Sequence, residues 1–202
     1  MKIYQYKDYD EYVKVQTEIS HLKKDWVYVK PRIVKAIVES KPLSGSVLCH
    51  GVRNGAEILM FINELPYAQV IGTEIAVDCE ELFAKTITKH KKEFPRIPLA
   101  HGGSCVQWDM QNARNNRFDI VYSNSFDHSI YPEETLKLWH AQCNTCGSVF
   151  IEYSEEQSIA NADDPLGASF LEVKTMMEAV FQNVTILGVS GKSGSRLLRG
   201  DK

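Results

Sequence analysis

The residues with the most chemical meaning fall in a few short stretches. Residues 46–57 read SVLCHGVRNGAE: an apolar run, a bend through Gly51 and Gly55, then the start of a helical pattern. A buried strand that turns through glycines into a helix sets backbone amides and a positive helix end beside an anion or a nucleotide. Glu74 ends VIGTE, about 20 residues past that loop, where the second strand of an open parallel sheet presents a carboxylate to ribose hydroxyls. Asp109 ends VQWD, and Asn124, Asp127 and His128 lie together in SNSFDHS. Asp127 and His128 are side chains that accept protons, imidazole being the one that ordinarily titrates nearest neutrality. His128 therefore reads as a base or as a packing group against the next helix. Asp127 reads as a second proton acceptor or as a turn cap.

Other clusters carry less. His140, Cys143 and Cys146 in HAQCNTCG resemble zinc ligands, but no second ligand pair completes a tetrahedral set. That segment is expected to be a helix-to-strand turn closed by Gly147. Asp127 with Asp163 or Asp164 makes a partial set for a divalent ion whose geometry nothing in the sequence fixes, so no metal is expected. A dinucleotide fingerprint needs glycines at 51, 53 and 56; the chain has Gly51, Arg53 and Ala56, which disfavours a nicotinamide cofactor.

These residues need a scaffold, and the hydrophobic periods supply one. Strands are expected near 46–50, 69–73, 104–108, 118–123 and 148–153. Helices are expected near 54–65, 78–94, 133–142 and 164–181, the last opened by Asp163, Asp164 and Pro165. Strands near 184–190 and 195–199, joined by GKSG, must pair as an antiparallel hairpin. Alternating strands and helices require right-handed crossovers, so the core is a doubly wound α/β sheet, mostly parallel and seven-stranded, with helices on both faces.

Before this core, residues 1–43 form a helical cap: two amphipathic helices, the second opened by Pro31, rich in Tyr4, Tyr6, Tyr9, Tyr12, Trp26 and Tyr28. Such aromatic area reads as a packed cap or as a lid over a ligand. Residues 44–202 complete one domain, as a chain of 202 residues allows.

The bulk composition excludes several classes. Apolar residues make 44% and charged residues 24%, with net charge −3. That balance gives no electrostatic reason for nucleic acid or an anionic membrane. No apolar run approaches the ~18 residues of a membrane span, and MKIYQYKDYDEY is not a signal peptide, so a cytoplasmic protein is expected. Five cysteines at scattered spacings suit reduced thiols.

The spacing of the glycine loop and the order of the later motifs resemble those of class I S-adenosylmethionine-dependent methyltransferases. VLCHGVRNG is similar to the family's VLDxGxGxG loop, FDIVYSNSFDH to its fourth motif, and LWHAQCNTCGSVFIEY to its fifth. The terminal hairpin is also the family's. The resemblance spans the whole core and implies S-adenosylmethionine as cofactor. It places Glu74 on the ribose, Asp109 on the adenine amino group, and His50, Gly51, Arg53, Gly55, Ile75, Trp108 and Asn124 around the cofactor. Two positions depart from the pattern: Cys49 replaces the strand-one acid, and Arg53 replaces the middle glycine. An arginine there must point outward, toward the cofactor carboxylate, the substrate or solvent. The implied reaction is methyl transfer to a small molecule or a glycan. A lyase that consumes the cofactor and a non-catalytic nucleoside-binding module are the alternatives. SNSFDH lacks the paired prolines of methyltransferases for DNA bases or protein glutamine, which disfavours those targets.

Overall fold

A computed structural model describes residues 1–42, 44–90, 103–112, 116–154, 158–190 and 194–202. Alternating apolar segments close into one seven-stranded sheet. Its strands are β2 (Ser46–His50), β3 (Gln69–Glu74), β4 (Ser104–Gln107), β5 (Phe118–Ser123), β6 (Cys143–Tyr153), β8 (Asn183–Ser190) and β9 (Arg196–Asp201). The order is β4-β3-β2-β5-β6-β9-β8. Pairs from β4 through β6 are parallel, and β9 pairs antiparallel with both β6 and β8. The strand order reverses between β2 and β5, so the carboxyl ends of these two strands form the crevice where such sheets bind ligands.

Period-two alternation divides the sheet's side chains between two cores. Val47, Cys49, Ile120, Tyr122 and Phe150 face α2 (Pro31–Ser40), α3 (Ala56–Glu64) and α4 (Cys79–His90). Leu48, Val121, Val149 and Ile151 face α5 (Pro132–Gln142) and α6 (Phe170–Glu178). Both faces are covered, as the continuous apolar strands require.

The cap contains α1 (Tyr9–Leu22), whose N-cap Asp8 carboxylate accepts from Glu11 N at 2.9 Å. A two-stranded sheet holds the cap's start: β1 (Lys2–Ile3) pairs antiparallel with β7 (Leu166–Gly167), and Tyr4 N donates to Pro165 O at 2.8 Å. Two-residue strands carry no readable alternation, and neither was expected.

Two expectations are corrected. The helix expected at 164–181 is α6, beginning only at Phe170. Asn161 Oδ1 accepts from Asp163 N and Asp164 N, an Asx turn that holds this acidic pair outside any helix. Residues 166–167 are then spent on β7, and Ser169 caps α6 in a capping box with Glu172. Strand β6 begins at Cys143, the C-cap of α5, so no turn separates helix from strand. The expected helix at 78–94 is α4 through His90, and residues 91–94 lie outside the described residues. No helix among the described residues is long and apolar enough to cross a membrane.

Candidate active site

The glycine loop is set by its backbone. Gly51 and Val52 amides both donate to Thr73 O, at 2.9 and 3.1 Å. Gly51 has φ of 67°, and a Cβ there would lie 2.7 Å from Ser125 Cβ, so neither strain nor space admits another residue. Arg53 also has positive φ, 48°, the only non-glycine among the described residues to do so. Its amide donates to Glu74 Oε2 at 2.6 Å, which holds it there. Its guanidinium lies 5.0 Å from the centroid of Tyr28, a cation–π contact with the cap. Asn54 ties the same loop to the cap through Lys24 O and Trp26 O.

Two cavities open at the carboxyl edge of the sheet and meet at Gly51, Arg53, Ser125 and His128. The smaller, about 40 Å³, is lined by Glu74, Ile75, Trp108 and Asp109 from the sheet and by Tyr12, Gln16, Ile19 and Ser20 from α1. The larger, about 350 Å³, includes Asn124, Asp127, Glu57, Glu152, Asp164 and Ser195. Seven of the nine residues expected around a cofactor thus line one cavity or the other, as do Asp127 and His128.

His50 and Gly55 do not. The His50 ring is 1% exposed, stacks on Trp139 at 4.9 Å and bonds Thr73 and Gln142. It shares its strand face with Leu48, inside the second core. Gly55, φ 74°, is the left-handed N-cap of α3, packed where a Cβ would meet Phe83 at 2.4 Å.

His128 is oriented by the cap. Gln16 Nε2 donates to Tyr6 Oη, Ala162 O and Asp163 O. Gln16 therefore turns its carbonyl Oε1 to His128 Nδ1, at 2.5 Å, and the network assigns Nδ1 as the protonated nitrogen. Nε2 then faces Asp164 Oδ1 at 3.7 Å and Asp127 Oδ1 at 3.9 Å. The unprotonated nitrogen of this imidazole thus lies beside two carboxylates at the junction of the cavities. Asp163, the other acid considered with Asp127, instead faces Lys23 at 3.7 Å.

Gln111 organises what lies beneath α1. Its Oε1 accepts from the amides of Ile130 and Tyr131, and its Nε2 donates to Tyr12 Oη at 3.0 Å. Tyr12 in turn donates to His128 O at 3.2 Å. Asp109 receives Gln111 N on Oδ1 and the Tyr9 hydroxyl on Oδ2 at 2.5 Å. Burial and the neighbouring Asp109 push the Tyr9 hydroxyl well above its usual value. Sequence reasoning missed Gln16, Gln111 and Glu57. In sequence Glu57 is the one acid of an otherwise apolar run, residues 56–62, and the structure buries all seven.

No protein-family model matches the chain, and no curated protein matches its sequence. Solved structures do match. The chain is similar to a 1,6-didemethyltoxoflavin N1-methyltransferase from Burkholderia thailandensis, solved with bound 1,6-didemethyltoxoflavin and S-adenosylhomocysteine. Identity is 17% over 98% of this chain and 92% of that one, with a TM-score of 0.69. It is similar to the N-terminal domain of EvdMO1, solved in the presence of S-adenosylhomocysteine and D-fucose, at 13% identity over 93% and 95%, TM-score 0.64. It also resembles YcgJ from Bacillus subtilis, at 12% identity over 85% and 98%, TM-score 0.65. The fold is that of the class I S-adenosylmethionine-dependent methyltransferases.

Proposed function

We propose that this protein transfers the methyl group of S-adenosylmethionine to a small-molecule or glycan acceptor. The observation that carries the reading is the junction of the two cavities. One is walled by the acids ending β3 and following β4, the other holds room for an acceptor, and His128 stands where they meet.

The residues present fit such a cofactor. The positive-φ turn at Gly51, closed against Ser125, puts the loop backbone on the wall of both cavities. Glu74 accepts from Arg53 and Ile75 amides, which leaves lone pairs of its carboxylate for ribose hydroxyls. Arg53 reaches the shared wall and suits the amino-acid carboxylate. When bound, S-adenosylmethionine supplies a methyl group already activated by a sulfonium. The chain's own contribution is to hold an acceptor in line and keep water out. Asn124 orients the acceptor, and His128 Nε2 takes the acceptor's proton, with Asp127 and Asp164 beside it. The small-molecule complexes of two fold relatives support the acceptor class.

Calorimetric titration should show S-adenosylhomocysteine binding and no response to NAD; the reverse result rejects the proposal. Once an acceptor is found by mass spectrometry of labelled product, His128→Ala should lower turnover ~10²–10⁴-fold with nearly constant S-adenosylhomocysteine affinity. Near-normal turnover would leave His128 a packing role only.

A further inference from the structure

One wall of the larger cavity takes no part in the chemistry above. Glu57 stands in the first turn of α3 and lines this cavity, yet it is only 6% exposed. Its Oε2 meets no hydrogen-bond donor among the described residues. Burial pushes the carboxyl up to about 7; Arg53 opposes this, and Glu74 and Glu152 add to it. Glu152, 5% exposed on β6, faces the same cavity. Its Oε2 accepts from the Tyr122 hydroxyl at 3.0 Å and its Oε1 from Ser195 Oγ at 2.5 Å. Neither donor carries a charge; Arg32 and Lys30 favour the charged form of this carboxylate, but burial prevails and raises it.

Asp127 and Asp164 complete four carboxyls around one cavity, against the cationic side chains of Lys23 and Arg53. Lys23 faces Asp163, and the Arg53 guanidinium lies over Tyr28. A buried carboxylate oxygen without a donor is costly, and a ligand that donates to it removes that cost. An anion would be repelled by this wall. A neutral hydroxyl could donate one bond but would leave the charge unbalanced. A compact cation with N–H donors satisfies both needs.

We propose that the methyl acceptor carries a primary or secondary ammonium group, anchored by Glu57 and Glu152 in the larger cavity. The proposal rests on the methyl-transfer reading and names the acceptor's class: small amines and amino sugars rather than acids or phosphates. A volume of about 350 Å³ lies within the range of small-molecule sites.

The test uses the full chain, with and without saturating S-adenosylhomocysteine. Methylamine, benzylamine and glucosamine are titrated beside their hydroxyl counterparts methanol, benzyl alcohol and glucose, followed by NMR. At least one amine should bind about tenfold or more tightly than its counterpart, and Glu57→Gln should abolish that preference. Equal affinities, or no amine binding at all, would overturn the proposal. A second pair of ligands guards against a different owner of Glu57. If Glu57→Gln weakens S-adenosylhomocysteine but not 5′-methylthioadenosine, which lacks the amino-acid end, the carboxylate belongs to the cofactor and the proposal fails. Failure of wild type to bind S-adenosylhomocysteine instead rejects the methyl-transfer reading, while the amine preference without it is still scored.

Discussion

Glu74 has a structural task before it meets any ligand. Its carboxylate accepts from the Arg53 amide at 2.6 Å and the Ile75 amide at 3.0 Å, and so fixes a positive-φ arginine at the mouth of both cavities. Glu74→Ala should therefore weaken S-adenosylhomocysteine by ~1–3 kcal/mol and also release Arg53 from its contact with Tyr28. Calorimetry checks the first effect, and amide shifts across residues 51–54 check the second. Unchanged affinity in a folded variant would remove Glu74 from the site. The position of this acid was legible because strand, loop and acid spacing are set locally. His50 lines neither cavity, for a related reason. Its place beside Gly51 in sequence suggested the site, but strand alternation sends its ring to the face of Leu48, onto Trp139. Glu57 stayed hidden because an acid in a helix's first turn ordinarily signals a favourable dipole contact. Only tertiary burial turns it into an orphan.

At the scale of elements, α1 is more than a cap. A cavity of about 40 Å³ beneath it cannot admit a nucleoside, since small-molecule sites run to several hundred Å³. On the proposed function, a nucleoside placed between Glu74 and Asp109 requires α1 to move. The Tyr9 hydroxyl occupies Asp109 Oδ2, the carboxylate expected to receive the adenine amino group, so the latch and the ligand compete for one acceptor. A group that stabilises the closed form lowers apparent affinity by the fraction of time the site is open. Tyr9→Phe should bind S-adenosylhomocysteine up to about tenfold more tightly, with faster hydrogen exchange in α1 before ligand is added. Weaker binding would show that Tyr9 orients Asp109 for the ligand. The amphipathic helix itself was readable from its period. Its docking was not, because the contact joins Tyr9 to Asp109 across 100 positions. The false start of α6 has a similar cause: Asp163, Asp164 and Pro165 carry a good helix-opening signal. The structure uses the stretch instead for the Asx turn and for β7, which ties down the cap.

For the whole molecule, the acidic wall sets a conflict between stability and ligand binding, and pH separates the two. Glu57 has an unfolded value of 4.5 and a folded value of about 7, raised chiefly by burial. Between those values the folded chain holds a proton that the unfolded chain has released, so stability falls as pH rises through this window and stays reduced above it. The gap amounts to on the order of 3 kcal/mol. Glu152, raised by burial, adds in the same sense. Asp119 behaves oppositely. Burial raises it, but hydrogen bonds from Asn144, Gly45 and Ser46 prevail and hold it below its usual value. Its contribution is present above the ordinary aspartate range and is lost as pH falls through its lowered folded value, outside the Glu57 window. Urea unfolding of Glu57→Gln beside wild type should therefore show a difference that grows in the variant's favour by on the order of 3 kcal/mol between pH 4 and pH 8. A difference that stays flat with pH would mean that Glu57 is compensated within the folded chain. A saturating amine should narrow the gap at pH 8, because a ligand that binds only the folded, ionised wall stabilises it by mass action. Stability lost to an orphan carboxylate would then be regained in the complex.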